Sequence, residues 1–402
     1  MESVIFVLAL VLISYVGAEW LFRMRKLPFV VSSLFHSGMG FVIIGIIIGP
    51  HGFGWLDTAR VDLLVSIESL ALSLIGIVFG LQFRLRSMRL IAYANYRVAV
   101  VQSVIVFVLA FLLILPIRWI FPEEFLSVRE ALPFIFALAA IASVTSPTAA
   151  AAVVRRMNAH GTAARLLRYV TATDAFVGVS IFGLTLSFFR LDGMAEGALI
   201  DGLMWFGLTL GVGALLGFIY HVFLAMRLSS NERLVVASGT VVLTAGVASL
   251  LSISPLFLSM IAGVVLTNFS ETQDRLFRLL ASAKKPIFGL MLILLGAKWV
   301  GFHPMILILG FAYVAIRIFS KIIGSRFALR MSGIGMPGSI SFGFSLTGQG
   351  GMTVAMALDF MSRYDAWSSQ VLISIIIVSF FANALLSPYM IRRMLLAEEG
   401  AE

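Results

Sequence analysis

One carboxylate, Asp174, stands in the middle of a long apolar run at about residues 166–189, directly after Thr173. An ionisable side chain inside a membrane-crossing segment costs about 2.5–3.5 kcal/mol on insertion scales, so it is a candidate for function by default. A buried carboxylate can hold either a proton or, through its oxygen atoms, a hard cation. We therefore expect Asp174, which follows Thr173, to hold a hard cation and a proton in competition. A structural salt bridge or a helix cap is the alternative.

Two basic residues, Arg317 and Lys321, lie four positions apart in another apolar run. This spacing places both side chains on one face of a helix. Buried positive charges need a carboxylate, a group of carbonyls or water nearby, so we expect at least one of them to support the cation site. In the alternative interpretation, Lys321 extends to the cytoplasmic surface and Arg317 pairs with Glu68.

Two further runs contain residues that disfavour a continuous helix. In the first, Pro147 follows Thr145 and Ser146, and proline removes a backbone donor and frees carbonyls of the preceding turn. The second run is rich in glycine and hydroxyl residues and contains Gln349 and Gly350. Both patterns predict broken helices whose free carbonyls and hydroxyls can ligate a cation near the middle of a membrane. Close packing of helices through small residues is the alternative.

Other chemistries are disfavoured. Gly333–Gly338 matches the dinucleotide-binding spacing of glycines, but it follows an apolar helical run instead of a strand and contains Pro337. The chain has no cysteine, and its five histidines show no zinc-binding spacing. We expect no cofactor, no nucleic-acid partner and no enzymatic activity.

The elements that must position these residues are membrane helices. Hydrophobic residues make up 60% of the 402, charged ones 12%, and the mean hydropathy is +1.04. Such a chain has too little polar surface for a water-soluble globule, so lipid is its solvent. The fold class expected is an all-α polytopic membrane protein. Thirteen apolar runs are long enough to span a bilayer, at about 3–22, 28–49, 63–81, 92–117, 131–154, 166–189, 199–223, 234–252, 255–269, 286–300, 305–329, 339–358 and 367–391.

The loops between these runs are short, the longest being the stretch around 270–285. We therefore expect one transmembrane transporter domain over 1–402 with no soluble regulatory domain. Glu19 and Lys298 lie near the ends of their runs, where a charged side chain can reach the interface. Glu68 lies inside the third run and is a weaker functional candidate than Asp174.

Several motifs, taken together and in order, resemble those of the monovalent cation:proton antiporter superfamily, nearest its cation:proton antiporter-2 branch. They are Lys26-Leu27-Pro28 with Gly49-Pro50-His51-Gly52, then Thr145-Ser146-Pro147-Thr148, Thr173-Asp174, Lys321-Ile322-Ile323-Gly324 and Gln349-Gly350-Gly351. Two departures stand out, because Thr173 replaces a second carboxylate found in many electrogenic members and Gln82 stands where an acid often ends the third span.

The resemblance implies inverted repeats with two broken crossing helices, and a homodimer in which a core domain moves against a dimerisation domain like an elevator. It also implies that Asp174 binds cation and proton in turn, with Thr173, Thr145 and Ser146 around it, Lys321 and Arg317 as supporting charges, and Pro147, Gln349 and Gly350 in the crossing helices. The expected function is exchange of Na⁺ or K⁺, with Li⁺ as a further candidate, for H⁺. A sodium-coupled anion symporter or a channel-like subunit on a related scaffold is the alternative.

The distribution of basic residues predicts the orientation. Of the 29 lysines and arginines, twenty fall in one set of alternate loops and the C-terminal end, five fall in the opposite set, and four lie in or at the edges of spans. Positively charged loops stay in the cytoplasm, so the N-terminus is expected outside and the C-terminus inside the cell (inner) membrane. A topology reporter fused after Glu402 should be active only in the cytoplasm. Activity only in the periplasm would contradict the thirteen-span arrangement.

Overall fold

The computed structural model describes Ser14 and residues 37–56, 64–88, 93–120, 128–189, 198–226, 229–269, 273–299, 301, 303–334, 339–364 and 367–399. Within these ranges all regular structure is helical. The helices are α1 (Met39–Ile48), α2 (Val65–Gly80), α3 (Leu85–Met88), α4 (Tyr93–Ile114), α5 (Ile117–Ile120), α6 (Val128–Ser143), α7 (Pro147–Arg156), α8 (Thr162–Phe188), α9 (Ala198–Ala225), α10 (Ser230–Leu250), α11 (Pro255–Phe269), α12 (Gln273–Ala297), α13 (Pro304–Met331), α14 (Ser339–Ser345), α15 (Gly351–Met361) and α16 (Trp367–Glu399).

The predicted all-helical membrane class is confirmed. In the described ranges, eight helical segments are long and apolar enough to cross a membrane, and four shorter apolar helices accompany them. Each predicted span from the second to the last contains a described helix. The first, with Glu19, lies outside the described residues apart from Ser14, so the count of thirteen stays a prediction.

One predicted loop is wrong. The stretch around 270–285 was expected to be the longest loop, but α12 begins at Gln273 and continues through Pro286. Phe277 and Leu280 explain the difference, because their spacing places them on one helical face. That face packs into an apolar cluster with Ala283 and Ile287. The charged residues among these apolar ones led to the prediction of a polar loop, whereas the segment is an amphipathic helix.

The chain divides into two compact units. The first unit comprises residues 1–19, 56–90 and 183–291. Its helices α2 and α11 approach so closely that a Cβ added at Gly263 would lie 2.5 Å from the Ile77 carbonyl oxygen. Only a small residue permits this approach. In the same unit, the Tyr220 hydroxyl contacts the Thr244 hydroxyl at 2.6 Å, which ties α9 to α10.

The second unit comprises residues 20–55, 91–182 and 292–402. Helix α13 is central to it and packs against α4, α14 and α16. Small residues again permit the close approach, since a Cβ at Gly324 would lie 2.7 Å from Val106 of α4. All of the residues predicted for the cation site belong to this unit, as do both helix interruptions.

Candidate functional site

The first interruption separates α6 from α7 at Val144–Ser146. Pro147 occupies the first position of α7, where its missing N–H leaves no unsatisfied donor and its fixed φ suits a helix start. Ser146 caps α7, because its hydroxyl accepts the Ala149 N–H at 3.2 Å. The predicted break at Thr145–Pro147 is therefore present.

The second interruption separates α14 from α15 at Leu346–Gly350. It lies directly against the first, because the Ser146 N–H donates to the Gly348 carbonyl at 2.9 Å. Glycine is required at 350 by this approach, since a Cβ there would lie 2.8 Å from the Ser146 Cβ. The two breaks thus form one polar centre inside the second unit.

The side chain of Asp174 projects from α8 into this centre and is fully buried. Its Oδ1 accepts the Thr145 N–H at 3.2 Å, and its Oδ2 lies 2.5 Å from the Thr145 hydroxyl. The same Oδ2 lies 3.1 Å from Lys321 Nζ. A carboxylate, a hydroxyl and an ammonium group are therefore in mutual contact without access to solvent.

Lys321 is also fully buried, so the alternative in which it reaches the cytoplasmic surface is wrong. Besides Asp174, its Nζ donates to the Ser143 carbonyl at 2.5 Å and to the Thr145 hydroxyl at 2.7 Å. An ammonium group has three N–H donors. All three have acceptors here, and this compensates part of the cost of burying the charge.

Arg317 lies one turn before Lys321 and is fully buried as well. Its guanidinium donates to the Val144 carbonyl at 2.6 Å in the first break, and to the carbonyls of Thr347 and, at 3.4 Å, Gly348 in the second. The carbonyl ends of α6 and α14 carry partial negative charge, so cationic groups are stabilised there. Arg317 thereby holds the two breaks together.

Thr173 and Gln349 lie in the second unit with the polar centre, whereas Glu68 belongs to the first unit. Thr173 is buried beside Asp174 on α8, but the contacts found for the Asp174 carboxylate come from Thr145 and Lys321. Gln349 is buried in the second break, and within the described part of the chain its amide atoms have no hydrogen-bond partner. Glu68 is buried in the first unit.

The breaks are predicted to free carbonyls, and the carbonyl oxygens of Ser143, Val144 and Leu346 are acceptors there. No residue type identifies in advance which carbonyls these are. Sequence reasoning missed one buried carboxylate. Asp359 is a fully buried carboxylate in α15, with Oδ1 3.5 Å from Arg363 Nε. It was overlooked because it directly follows the predicted end of its span at 358.

The two breaks gather several oxygen atoms that could serve as ligands for a hard cation. Among the described residues, no group of three or more histidine, cysteine, aspartate or glutamate side chains is arranged to hold a metal ion. The oxygen atoms gathered at the breaks are one carboxylate, one hydroxyl and several carbonyls. Oxygen ligands of this kind are those that hard cations prefer.

Comparisons with known proteins agree with this picture. A family model described as "Sodium/hydrogen exchanger, transmembrane" matches residues 8–397. A structure of the sodium proton antiporter MjNhaP1 from Methanocaldococcus jannaschii at pH 8 is similar, with a TM-score of 0.69, 16% identity and 98% of each chain covered. A second structure of that antiporter, from an electron-microscopy map, gives a TM-score of 0.66 at 17% identity and covers 100% of this chain and 99% of the other. No curated protein sequence matches the chain.

The contacts of Arg317 generate a stability prediction. Arg317→Met keeps an unbranched buried stem but leaves the carbonyls of both breaks without their charged donor, at a cost of about 1–3 kcal/mol for each unsatisfied group. We expect a clear drop in the thermal unfolding midpoint of the purified protein and a loss of monodisperse material on size exclusion. Arg326→Met is the matched control, because Arg326 is exposed on the same helix. Equal midpoints for the two variants would contradict the role of Arg317 at the breaks.

Proposed function

Because this chain belongs to the sodium/hydrogen exchanger family, we propose that it exchanges a monovalent cation for protons at Asp174. The chain is accordingly a transporter and not an enzyme. Sodium is the cation that the family name indicates; potassium and lithium are further candidates that the same oxygen ligands could take. The observation that carries the proposal is the fully buried contact of Asp174 with Lys321 between two broken helices.

Competition at Asp174 Oδ2 is the proposed basis of exchange. In the arrangement observed, this oxygen is occupied by Lys321 Nζ and the Thr145 hydroxyl. Two unit charges 4 Å apart repel by about 4 kcal/mol at an effective dielectric constant of 20, so an arriving cation and the ammonium group cannot share the oxygen without cost. A proton that binds Asp174 removes its negative charge and with it the attraction for either cation. The carboxylate is therefore proposed to interact with Lys321, the transported cation or a proton, one of these at a time.

Thr145, Ser146 and Thr173 are proposed to line the cation position, with Arg317 and Lys321 as the supporting charges. The support is the proximity of Thr145 to Asp174 and the packing of Ser146 against Gly348 and Gly350. Pro147, Gln349 and Gly350 are proposed to maintain the interruptions whose carbonyls accept hydrogen bonds from Arg317 and Lys321.

We propose elevator-type alternating access for this exchange. In such a mechanism the cation-binding residues move together as one body, and here all of them belong to the second unit. The hydrogen bonds of Arg317 to both breaks support the idea that the site keeps its geometry during such a movement. The movement would expose Asp174 to one side of the membrane and then to the other.

The cellular setting proposed is the cell (inner) membrane, with the N-terminus outside and the C-terminus in the cytoplasm. The support is the excess of basic residues in one set of loops. We also propose that the transporter is a homodimer surrounded by membrane lipid, as the family resemblance implies.

The central prediction concerns the Asp174 carboxylate. Asp174→Asn keeps the size of the side chain but removes its charge, so it should abolish cation-driven proton movement while the protein remains folded. The measurement is a pH-sensitive dye inside proteoliposomes to which sodium, potassium or lithium is added. Asp201→Asn, at an exposed position of α9, is the matched control and should transport like the wild type.

Near wild-type exchange by Asp174→Asn would exclude this residue as the cation and proton site. A wild-type protein that moves no protons under any cation gradient, but takes up an organic anion with sodium, would instead support the symporter alternative. An ion current without proton coupling would support a channel.

The second prediction is electroneutral exchange of one cation for one proton. Lys321 retains two acceptors, Ser143 O and Thr145 Oγ1, when Oδ2 of Asp174 is taken, so we expect it to keep its proton. The cation-loaded and the proton-loaded sites then carry the same net charge. Moving one net charge across the membrane changes the free energy by about 2.3 kcal/mol per 100 mV. Electroneutral exchange moves no net charge, so the membrane potential should not affect it.

The measurement is sodium-driven exchange in liposomes under a potassium-diffusion potential set with valinomycin. The rate and end point should be independent of voltage. A voltage-dependent end point in the wild type that disappears in Lys321→Gln would show that Lys321 releases its proton on cation binding. A voltage dependence that persists in Lys321→Gln would indicate a further titrating acid, such as Glu68.

A further inference from the structure

The hydroxyl oxygen of Thr145 has three polar neighbours but carries a single hydrogen. Its oxygen lies 2.5 Å from Asp174 Oδ2, 2.8 Å from the carbonyl oxygen of Leu346 and 2.7 Å from Lys321 Nζ. A hydroxyl donates one hydrogen and accepts two, whereas an ammonium group only donates and a carbonyl only accepts. The single hydrogen of Thr145 can therefore go to Asp174 or to Leu346, but not to both.

The protonation of Asp174 decides between these acceptors. An ionised carboxylate only accepts, and as a charged acceptor it binds a hydroxyl hydrogen more strongly than a neutral carbonyl does. When Asp174 is protonated on Oδ2, its own O–H donates to Thr145 Oγ1, and the Thr145 hydrogen turns to Leu346. Thr145 Oγ1 then accepts from Asp174 and from Lys321, which fills its two acceptor positions. No hydrogen is gained or lost other than the proton that arrives at Asp174.

The Leu346 carbonyl, which receives this hydrogen, lies in the second break. Leu346 is the first residue after α14, at the start of the second break, whereas Thr145 belongs to the first break and Asp174 to α8. The other buried charge facing this centre, Arg317, donates to the carbonyls of Val144, Thr347 and Gly348. A change at Leu346 thus alters the second break while Arg317 keeps the two breaks together.

We propose that Thr145, in the first break, is a two-position hydrogen-bond switch, which passes the protonation state of Asp174 on α8 to the Leu346 carbonyl in the second break. This inference rests on the proposed exchange at Asp174 and adds a positioning role to it. The proton-loaded site has a hydrogen bond between the breaks through Leu346, and the deprotonated site gives up that bond in favour of the carboxylate. Proton loading therefore changes how firmly α14 is tied to the rest of the site.

Two substitutions at Thr145 separate the hydroxyl from the shape of the side chain. Thr145→Val keeps the branched shape and removes the hydroxyl, whereas Thr145→Ser keeps the hydroxyl and removes the methyl group. Thr171→Val is the matched control, because Thr171 is a fully buried threonine on α8, one turn before Asp174, whose hydroxyl donates to the Arg168 carbonyl of its own helix. Loss of a hydrogen bond to a charged group should slow exchange by about tenfold or more in Thr145→Val. Thr171→Val should stay close to the wild type, whereas Thr145→Ser, which keeps the hydroxyl, should recover most of the exchange that Thr145→Val loses.

The measurement specific to the switch is hydrogen–deuterium exchange of peptides that cover residues 339–350, in purified protein without sodium, at acidic and alkaline pH. Rates are corrected for the intrinsic effect of pH and referred to peptides from α10. The wild type, Thr145→Ser and Thr171→Val should show stronger protection of this segment at acidic pH. Thr145→Val should lose the difference between the two pH values, and Asp174→Asn should show the same protection at both.

Either of two results with Thr145→Val would overturn the switch: exchange at the wild-type rate, or an unchanged pH-dependent protection. If Thr145→Val does not fold, the comparison of wild type with Asp174→Asn still decides, because pH-dependent protection in Asp174→Asn also contradicts the proposal. Failure of the proposed function gives a different result, namely a folded wild type that moves no protons under any cation gradient.

Discussion

The rest of the site depends on the way two buried cations satisfy the carbonyls of two interrupted helices. In a bilayer an unsatisfied carbonyl costs several kcal/mol, so a membrane helix can be broken only where other groups replace its lost hydrogen bonds. Arg317 and Lys321 do this from one face of α13. They reach Ser143 at the end of α6, Val144 in the first break and Thr347 in the second. The broken helices therefore need the two buried cations as hydrogen-bond donors, and the cations need the carbonyls of the breaks as acceptors.

The two buried positive charges also explain why a buried carboxylate, Asp174, is present. Two buried positive charges among neutral carbonyls still leave an excess of charge, and one carboxylate in contact with Lys321 compensates half of it. A second carboxylate at position 173 would neutralise the pair fully, but the chain has a buried threonine there. The centre therefore keeps a positive excess, which in the proposed exchange would disfavour an ammonium group and a cation at the same carboxylate oxygen.

The sequence allowed much of this centre to be predicted, for reasons that differ between residues. Asp174, Arg317 and Lys321 were found because charges are rare in apolar runs, and the break at Pro147 because proline cannot continue a helix. The contact between Lys321 and Asp174 could not be derived from spacing, because 147 positions separate them and only tertiary packing brings them together. Free carbonyls at the breaks were predicted, but not which ones, because no residue type distinguishes one backbone oxygen from another. The start of α12 was missed, because charged residues interrupt the apolar face of Phe277 and Leu280.

The two basic residues of α13 have different physical tasks, and their types suit them. A guanidinium stays protonated and offers five donors in a rigid plane, so Arg317 can bind carbonyls of both breaks at once and remain there. An ammonium group offers three donors on a flexible stem, and Lys321 uses one of them for Asp174 and the others for Ser143 and Thr145. It can give up the carboxylate and keep two partners. Arginine therefore provides the fixed connection between the breaks, and lysine provides the contact with Asp174 that the proposed exchange would break and form again.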